Sequence, residues 1–147
     1  MKQVLLMIAV VALVGGCAST NPIIEKAIRK SLKKPIGKLT KADFEKVTYL
    51  NLYKNKLTDV TGLEKLTNLK HLFLGGNQLT DVKGLEKLTN LTQLFLGHNK
   101  LTDVKGLEKL KQLRWLRLSG NPDLTKAQID ELQKALRNCK IYSNPTK

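Results

Sequence analysis

The sequence predicts an α/β solenoid with about five short parallel strands on its concave face. Three observations predict it. The segment L-x-x-L-x-L-x-x-N recurs along the chain with a period of 22, as its closing Asn55, Asn77, Asn99 and Asn121 show. A nearly invariant return, LTDVKGLEKL at 79–88 and 101–110 and LTDVTGLEKL at 57–66, joins one copy to the next. The two ends leave the period and take helical spacing, as the caps of a stacked repeat must, because terminal coils otherwise expose their leucines.

The chain opens MKQVLLMIAVVALVGGCAST. Lys2 precedes an unbroken apolar run, Val4 to Val14, which is too short to span a bilayer as a helix of about 20 residues. It has the length of a signal-peptide core. Val14, Gly15, Gly16 and Cys17 then resemble the lipobox of bacterial lipoproteins. That resemblance implies removal of residues 1–16 and lipid on Cys17, which becomes the first mature residue. Several acyl chains give stable anchoring, at about 0.8 kcal/mol for each buried methylene. Ala18, where an aspartate is absent, implies the outer membrane in a diderm bacterium. Two alternatives stand beside this reading. Gly16 and Ala18 also fit ordinary signal cleavage after Ala18, which yields a secreted or periplasmic protein, and the segment also serves as an uncleaved anchor. The cysteine falls where the apolar run ends, which favours the lipoprotein.

Residues 17–46 form a basic linker and a helical N-terminal cap. In NPIIEKAIRKSLKK (21–34), Ile23, Ile24, Ala27, Ile28 and Leu32 share a helical spacing with a basic opposite face. LTKADFEKV (39–47) starts a second helix with Thr40 as its N-cap.

Residues 47–122 hold the repeats VTYLNLYKN (47–55), LKHLFLGGN (69–77), LTQLFLGHN (91–99) and LRWLRLSGN (113–121). A degraded fifth, LRNCKIYSN (136–144), aligns Cys139 with Leu116 and Ile141 with Leu118. L-x-L alternation makes a short strand with one buried face. A single coil cannot bury its own leucines, so coils stack and the leucines form ladders. Asn55, Asn77, Asn99, Asn121 and Asn144 fall at the bend, where amides serve backbone groups of the neighbouring coil. Leaving such buried groups unpaired costs about 1–3 kcal/mol each, so these asparagines are structural. Gly62, Gly84 and Gly106 share the position of a tight turn. Asp59, Asp81 and Asp103 fit local turn bonds. The returns leave room for a 3₁₀ segment. Residues 123–147 supply the C-terminal cap, with Thr125 and Gln128 spaced as a capping box and Ile129, Leu132 and Leu136 as the apolar face, followed by the last strand.

This pattern resembles the leucine-rich repeat family, and the short period resembles its short bacterial, internalin-like class. The resemblance covers residues 47–144. It implies recognition of protein ligands by the curved sheet.

No catalytic constellation, cofactor motif or metal-ligand spacing is present in the sequence, so an enzyme is not expected. His71 and His98 occupy different repeat positions. The net charge is +14, and losing Lys2 with the leader makes it +13. Export separates the protein from chromosomal DNA, so the charge points to anionic lipid, cell-wall polymer or an acidic partner; scattered lysines also serve solubility alone. Neither a cell-wall sorting signal nor a following domain occurs in these residues, which weakens a host-adhesion role. The chain is expected to act as a monomer.

The third, fifth, seventh and eighth places of the template face the concave side. They hold six of the seven aromatics: Tyr49, Tyr53, Phe73, Phe95, Trp115 and Tyr142. Phe44 is the seventh. His71 and His98 join them, with Asn51, Gln93, Arg117 and Lys140. Neighbouring aromatics also stabilise sheets by about 0.2–1 kcal/mol per pair. Exposed aromatic clusters mark binding sites, and Tyr, Trp and Arg dominate binding energies. The expected function is therefore a non-catalytic protein- or peptide-binding module. Contact of the 21–34 helix with anionic lipid, and binding of a cell-wall glycan, are the alternatives.

Overall fold

The computed structural model describes residues 20–144. The leader 1–16, the lipidation position Cys17 and the last three residues lie outside them. Two helices lead, α1 (Pro22–Leu32) and α2 (Lys41–Glu45). Strands β1 (Tyr49–Asn51), β2 (His71–Phe73), β3 (Gln93–Phe95) and β4 (Trp115–Arg117) follow, and helix α3 (Lys126–Ala135) precedes β5 (Lys140–Tyr142). The strands form one parallel sheet in chain order. Each early return carries one 3₁₀ turn: Leu63–Lys65, Leu85–Lys87 and Leu107–Lys109.

Each strand is three residues long, and in β1 to β4 only its central leucine points inward. Leu50, Leu72, Leu94 and Leu116 are buried, and Leu52, Leu74, Leu96 and Leu118 bury a second row beside them. Leu57, Leu79 and Leu101, with Leu63, Leu85 and Leu107, close the core from the returns. The constant period pairs residue with residue across β1 to β4, as in Leu50–Leu72–Leu94. Turn chemistry fixes the returns. Gly62, Gly84 and Gly106 sit at φ of 103°, 94° and 102°. Glu64, Glu86 and Glu108 accept the N–H of the glycine two residues earlier, at 2.7, 2.7 and 2.6 Å.

Asn77, Asn99 and Asn121 are buried and fully bonded. Asn99 Oδ1 accepts from Leu79 N, and its Nδ2 donates to Leu74 O and Leu96 O, all at 3.0 Å. Asn77 and Asn121 repeat this with their own coils. Asn55 is half-buried at the free end, where its Nδ2 reaches only its own Tyr53 O.

The register of the fifth strand differs from the sequence alignment. Ile141 pairs with Leu116, Lys140 with Trp115 and Tyr142 with Arg117. The step from Leu116 to Ile141 is longer by three positions than the step from Leu94 to Leu116. Cys139 is therefore out of the Leu116 row, although it stays buried. Ile141 leaves the Leu118 row, and Asn138 is not beside Trp115. Asn144 is exposed; its Oδ1 accepts from Gly120 N, so it does not extend the buried ladder. The cause is α3. An α-helix advances about 1.5 Å per residue, against about 2 Å in a 3₁₀ turn and about 3.3 Å in extended chain. Crossing the same width by helix consumes more residues.

The caps seal the ends. Asn21 N-caps α1 through the Ile23 N–H, and its own N–H donates to Thr61 O in the first return. Ile24 and Ile28 are buried against the first coil, while Ile23 stays exposed. Capping boxes start α2 (Thr40 with Asp43) and α3 (Thr125 with Gln128). Gln128 Nε2 also donates to Thr102 O and ties α3 to the third return. Burial of Cys139 raises its thiol to about pKa 11 and keeps it protonated and inert.

Candidate functional site

The concave face consists of two side-chain rows that the parallel register aligns. One runs Tyr49, His71, Gln93, Trp115, Lys140; the other runs Asn51, Phe73, Phe95, Arg117, Tyr142. The fifth-strand shift moves Lys140 from Arg117 to Trp115 and sets Tyr142 beside Arg117. Tyr49, Tyr53, Trp115 and Tyr142 are 51, 52, 44 and 43 % exposed, high values for large aromatics.

The rings sort into two groups. Phe73 and Phe95 stack at 4.6 Å between centroids and 6° between planes, and Tyr49 leans on Phe73 at 5.4 Å. At the other end Trp115 and Tyr142 stack at 6.2 Å and 6°. Lys140 Nζ lies 5.5 and 5.8 Å from those two ring centroids, a cation–π contact with both. His71 is 6.5 Å from Tyr49. His98 stands away from the rows, in a left-handed turn with its ring over Gly120.

Two hollows lie between these groups. One, of about 290 Å³, is bounded by Asn51, Tyr53, Phe73, Gly75, His98 and Arg117. The other, of about 390 Å³, is bounded by Phe95, Trp115, Arg117, Ser119 and Tyr142. Phe95 and Arg117 form the wall common to both. Gly75 and Gly97 make the floor possible, although neither has a positive φ. A Cβ on Gly75 would lie 3.2 Å from both Gly97 O and the Tyr53 ring, and one on Gly97 3.1 Å from Ser119 O. The seventh place must be small there, which keeps the hollow open. Sequence reasoning missed these floor residues, Ser119 among them. Their signal was a bulky Tyr53 followed by two glycines and a serine at one repeat position.

Electrostatically the face is one-sided. Its exposed cations are Lys54, Arg117 and Lys140, and none of the chain's 12 carboxylates falls on it. Among the described residues Arg117 and Lys140 have no carboxylate partner. The described residues offer no cluster of three His, Cys, Asp or Glu side chains for a metal ion. No described helix is long and apolar enough to cross a membrane.

Known proteins share this architecture. A family model described as leucine-rich repeats in two copies matches residues 45–87, and a second leucine-rich repeat model matches 80–122. No curated protein matches the sequence. Among solved structures the chain is similar to an internalin, InlF, of Listeria monocytogenes. Identity is 27 % and the TM-score 0.72, over 86 % of this chain and 44 % of that one. Internalin C2 of the same organism superposes with a TM-score of 0.75 at 23 % identity, over 90 % of this chain and 64 % of its own, a likeness of fold. The functional domain of InlJ, also from Listeria monocytogenes and including a cysteine ladder, gives 30 % identity and a TM-score of 0.61 over 70 % of this chain and 21 % of that one. The chain thus spans less than two thirds of the length of these structures. With its repeats matched from 45 to 122 and its coils superposing on internalins, the chain belongs to the leucine-rich repeat family and is internalin-like within it.

Proposed function

We propose that this chain is an exported, lipid-anchored protein of the bacterial cell envelope that binds a protein or peptide on its concave face and catalyses nothing. The observation that carries this reading is the gathering of six of seven aromatics on one face, four of them about half exposed. Water-exposed aromatic clusters are unfavourable unless a partner covers them, and repeat solenoids use their concave surfaces for binding. No cofactor, metal or nucleic acid enters this function. Lipid on Cys17 would hold the solenoid near the membrane, the outer one in a diderm. Asn21 is bonded to the first return and lies four residues after Cys17, a reach of about 14 Å.

Photo-crosslinking in the native cell tests the reading. A crosslinking amino acid replacing Trp115 should capture one polypeptide that the same probe replacing Lys87, on the returns, does not. Combined Phe73→Ser, Phe95→Ser and Trp115→Ser should abolish capture by a probe replacing Gln93 while the protein stays folded. Equal capture from both faces, or capture that survives the triple variant, would overturn the claim.

One observation favours a second reading. Lys26 and Lys30 on α1 and Lys33 at its C-cap are exposed, away from buried Ile24 and Ile28, and so face outward where anionic headgroups would lie. Lys34 is held by Asp43 at 2.7 Å and does not join them. Liposome binding that needs those three lysines and not the aromatics would favour contact with lipid.

A further inference from the structure

We infer that the ligand is an extended acidic peptide segment, lying across the strands with a carboxylate on Arg117 and apolar or aromatic side chains in the two hollows beside it. This rests on the concave-face reading and narrows it to one chemistry.

Charge comes first. The face carries Lys54, Arg117 and Lys140 and no carboxylate, although the chain has 12. The returns use theirs locally: Glu64, Glu86 and Glu108 accept glycine N–H groups, and Asp59, Asp81 and Asp103 accept the N–H two residues on. The positive charge of the face is left for a partner to balance. Arg117 is exposed, walls both hollows and has no carboxylate partner among the described residues. A guanidinium so placed matches a carboxylate with two parallel hydrogen bonds.

Ring geometry points the same way. Side chains stand roughly perpendicular to a sheet, and here Phe73 with Phe95, and Trp115 with Tyr142, lie at 6° to one another. One face of each ring is turned to its stacked neighbour, and the Lys140 ammonium contacts both Trp115 and Tyr142. What such stacks present outward is ring edge, the positive side of the aromatic quadrupole. Edges suit carboxylate and carbonyl oxygens. Sugar rings and cations dock on aromatic faces, and in each stacked pair one face of each ring is already covered by its neighbour.

Dimensions fit a short segment. Five strands about 4.8 Å apart span about 19 Å, which an extended chain crosses in about six residues. The hollows follow one another across the strands, so a segment filling both runs across them. A larger, open depression of about 580 Å³ beside α1, between Lys26, Lys30 and Lys33, supports no comparable argument.

The test is selection of phage-displayed random dodecapeptides on the full chain, read against variants. Enriched peptides should place Asp or Glu close in sequence to aromatic or aliphatic side chains. Their affinity should fall at least tenfold in Arg117→Glu and severalfold in Arg117→Gln, and be unchanged in Lys87→Glu. Circular dichroism checks that each variant is folded. Peptides without acidic residues that still need Phe73, Phe95 and Trp115 would overturn this inference while leaving the concave binding face standing. Selected peptides indifferent to Arg117 and to the aromatics, or no enrichment at all, would overturn both. Peptidoglycan fragments quenching Trp115 fluorescence more than the selected peptides would overturn it in favour of a glycan.

Discussion

The returns and the concave strands of the same coils follow opposite rules. On the returns the bonds are copied along with the letters. The three Gly–Glu contacts measure 2.7, 2.7 and 2.6 Å. Asp59, Asp81 and Asp103 each accept the N–H two residues on, at 3.0, 3.0 and 2.9 Å. On the concave side neighbours differ: His71 stands beside Gln93, and Gln93 beside Trp115. A coil must meet the next coil identically or the stack stops, so its interior and its turns are constrained. The outward strand positions carry no such demand and are free to specialise. The exception is the seventh place, where Gly75 and Gly97 stay small because the next coil's carbonyl is close.

This contrast breaks most sharply at the ladder. Asn99→Ala orphans Leu79 N in the core and takes one of two amide donors each from Leu74 O and Leu96 O, which keep Asn77 and Asn121. At about 1–3 kcal/mol for the orphaned group, with the lost bonds to the two carbonyls added, it should remove about 2–3 kcal/mol of unfolding free energy in urea titrations. Asn55→Ala, at the half-buried end, should remove about 1 kcal/mol. Equal losses would mean that the ladder does not act through burial.

The converse experiment is on the concave side. Phe73→Ala with Phe95→Ala removes the stacked pair, which contributes about 0.5–1.5 kcal/mol beyond its area. The variant should remain folded, with a similar loss by urea titration, yet lose its crosslinked partner. Loss of folding instead would make those rings scaffold.

A smaller effect isolates turn strain. Gly84 has φ of 94°, and a Cβ there meets no atom within 4 Å. Gly84→Ala should therefore cost about 1 kcal/mol through backbone conformation alone, measured as a lower melting temperature, and leave peptide binding intact.

The smallest expected effect belongs to the N-terminal cap and depends on pH. The Lys34 ammonium, with the Thr40 N–H and hydroxyl, holds the Asp43 carboxyl well below the usual carboxylate range. A depressed folded pKa gives stability that is present above the unfolded value, about 3.9, and is lost as pH falls toward the folded one. The melting-temperature gap between the natural chain and Asp43→Asn should hold steady above about pH 5 and shrink below about pH 4. A gap independent of pH would show that the carboxylate charge contributes nothing.

The fold was legible because its signals are local and repeated. Leu50, Leu72 and Leu94 recur at one period, Gly62, Gly84 and Gly106 mark one turn, and Thr125 with Gln128 marks the start of α3. The site was legible only as a set of residues. Phe73 beside Phe95 follows from the period, but the near-parallel stacking of their rings does not. Trp115 against Tyr142 was hidden by the fifth-strand register, since aligning Asn144 with Asn121 placed Lys140 beside Arg117.

The sequence by itself determined the repeat, its period, the inward leucines, the buried asparagines of the middle coils and which face would carry the aromatics. Each follows from chain-local periodicity and from the need of every coil to bury one face. Only the tertiary structure decided the register of Lys140–Tyr142, the hollows over Gly75 and Gly97, and the isolation of Arg117 between stacked rings. Those depend on how far a helix advances the chain and on how closely neighbouring backbones approach, and neither distance is written in any one coil.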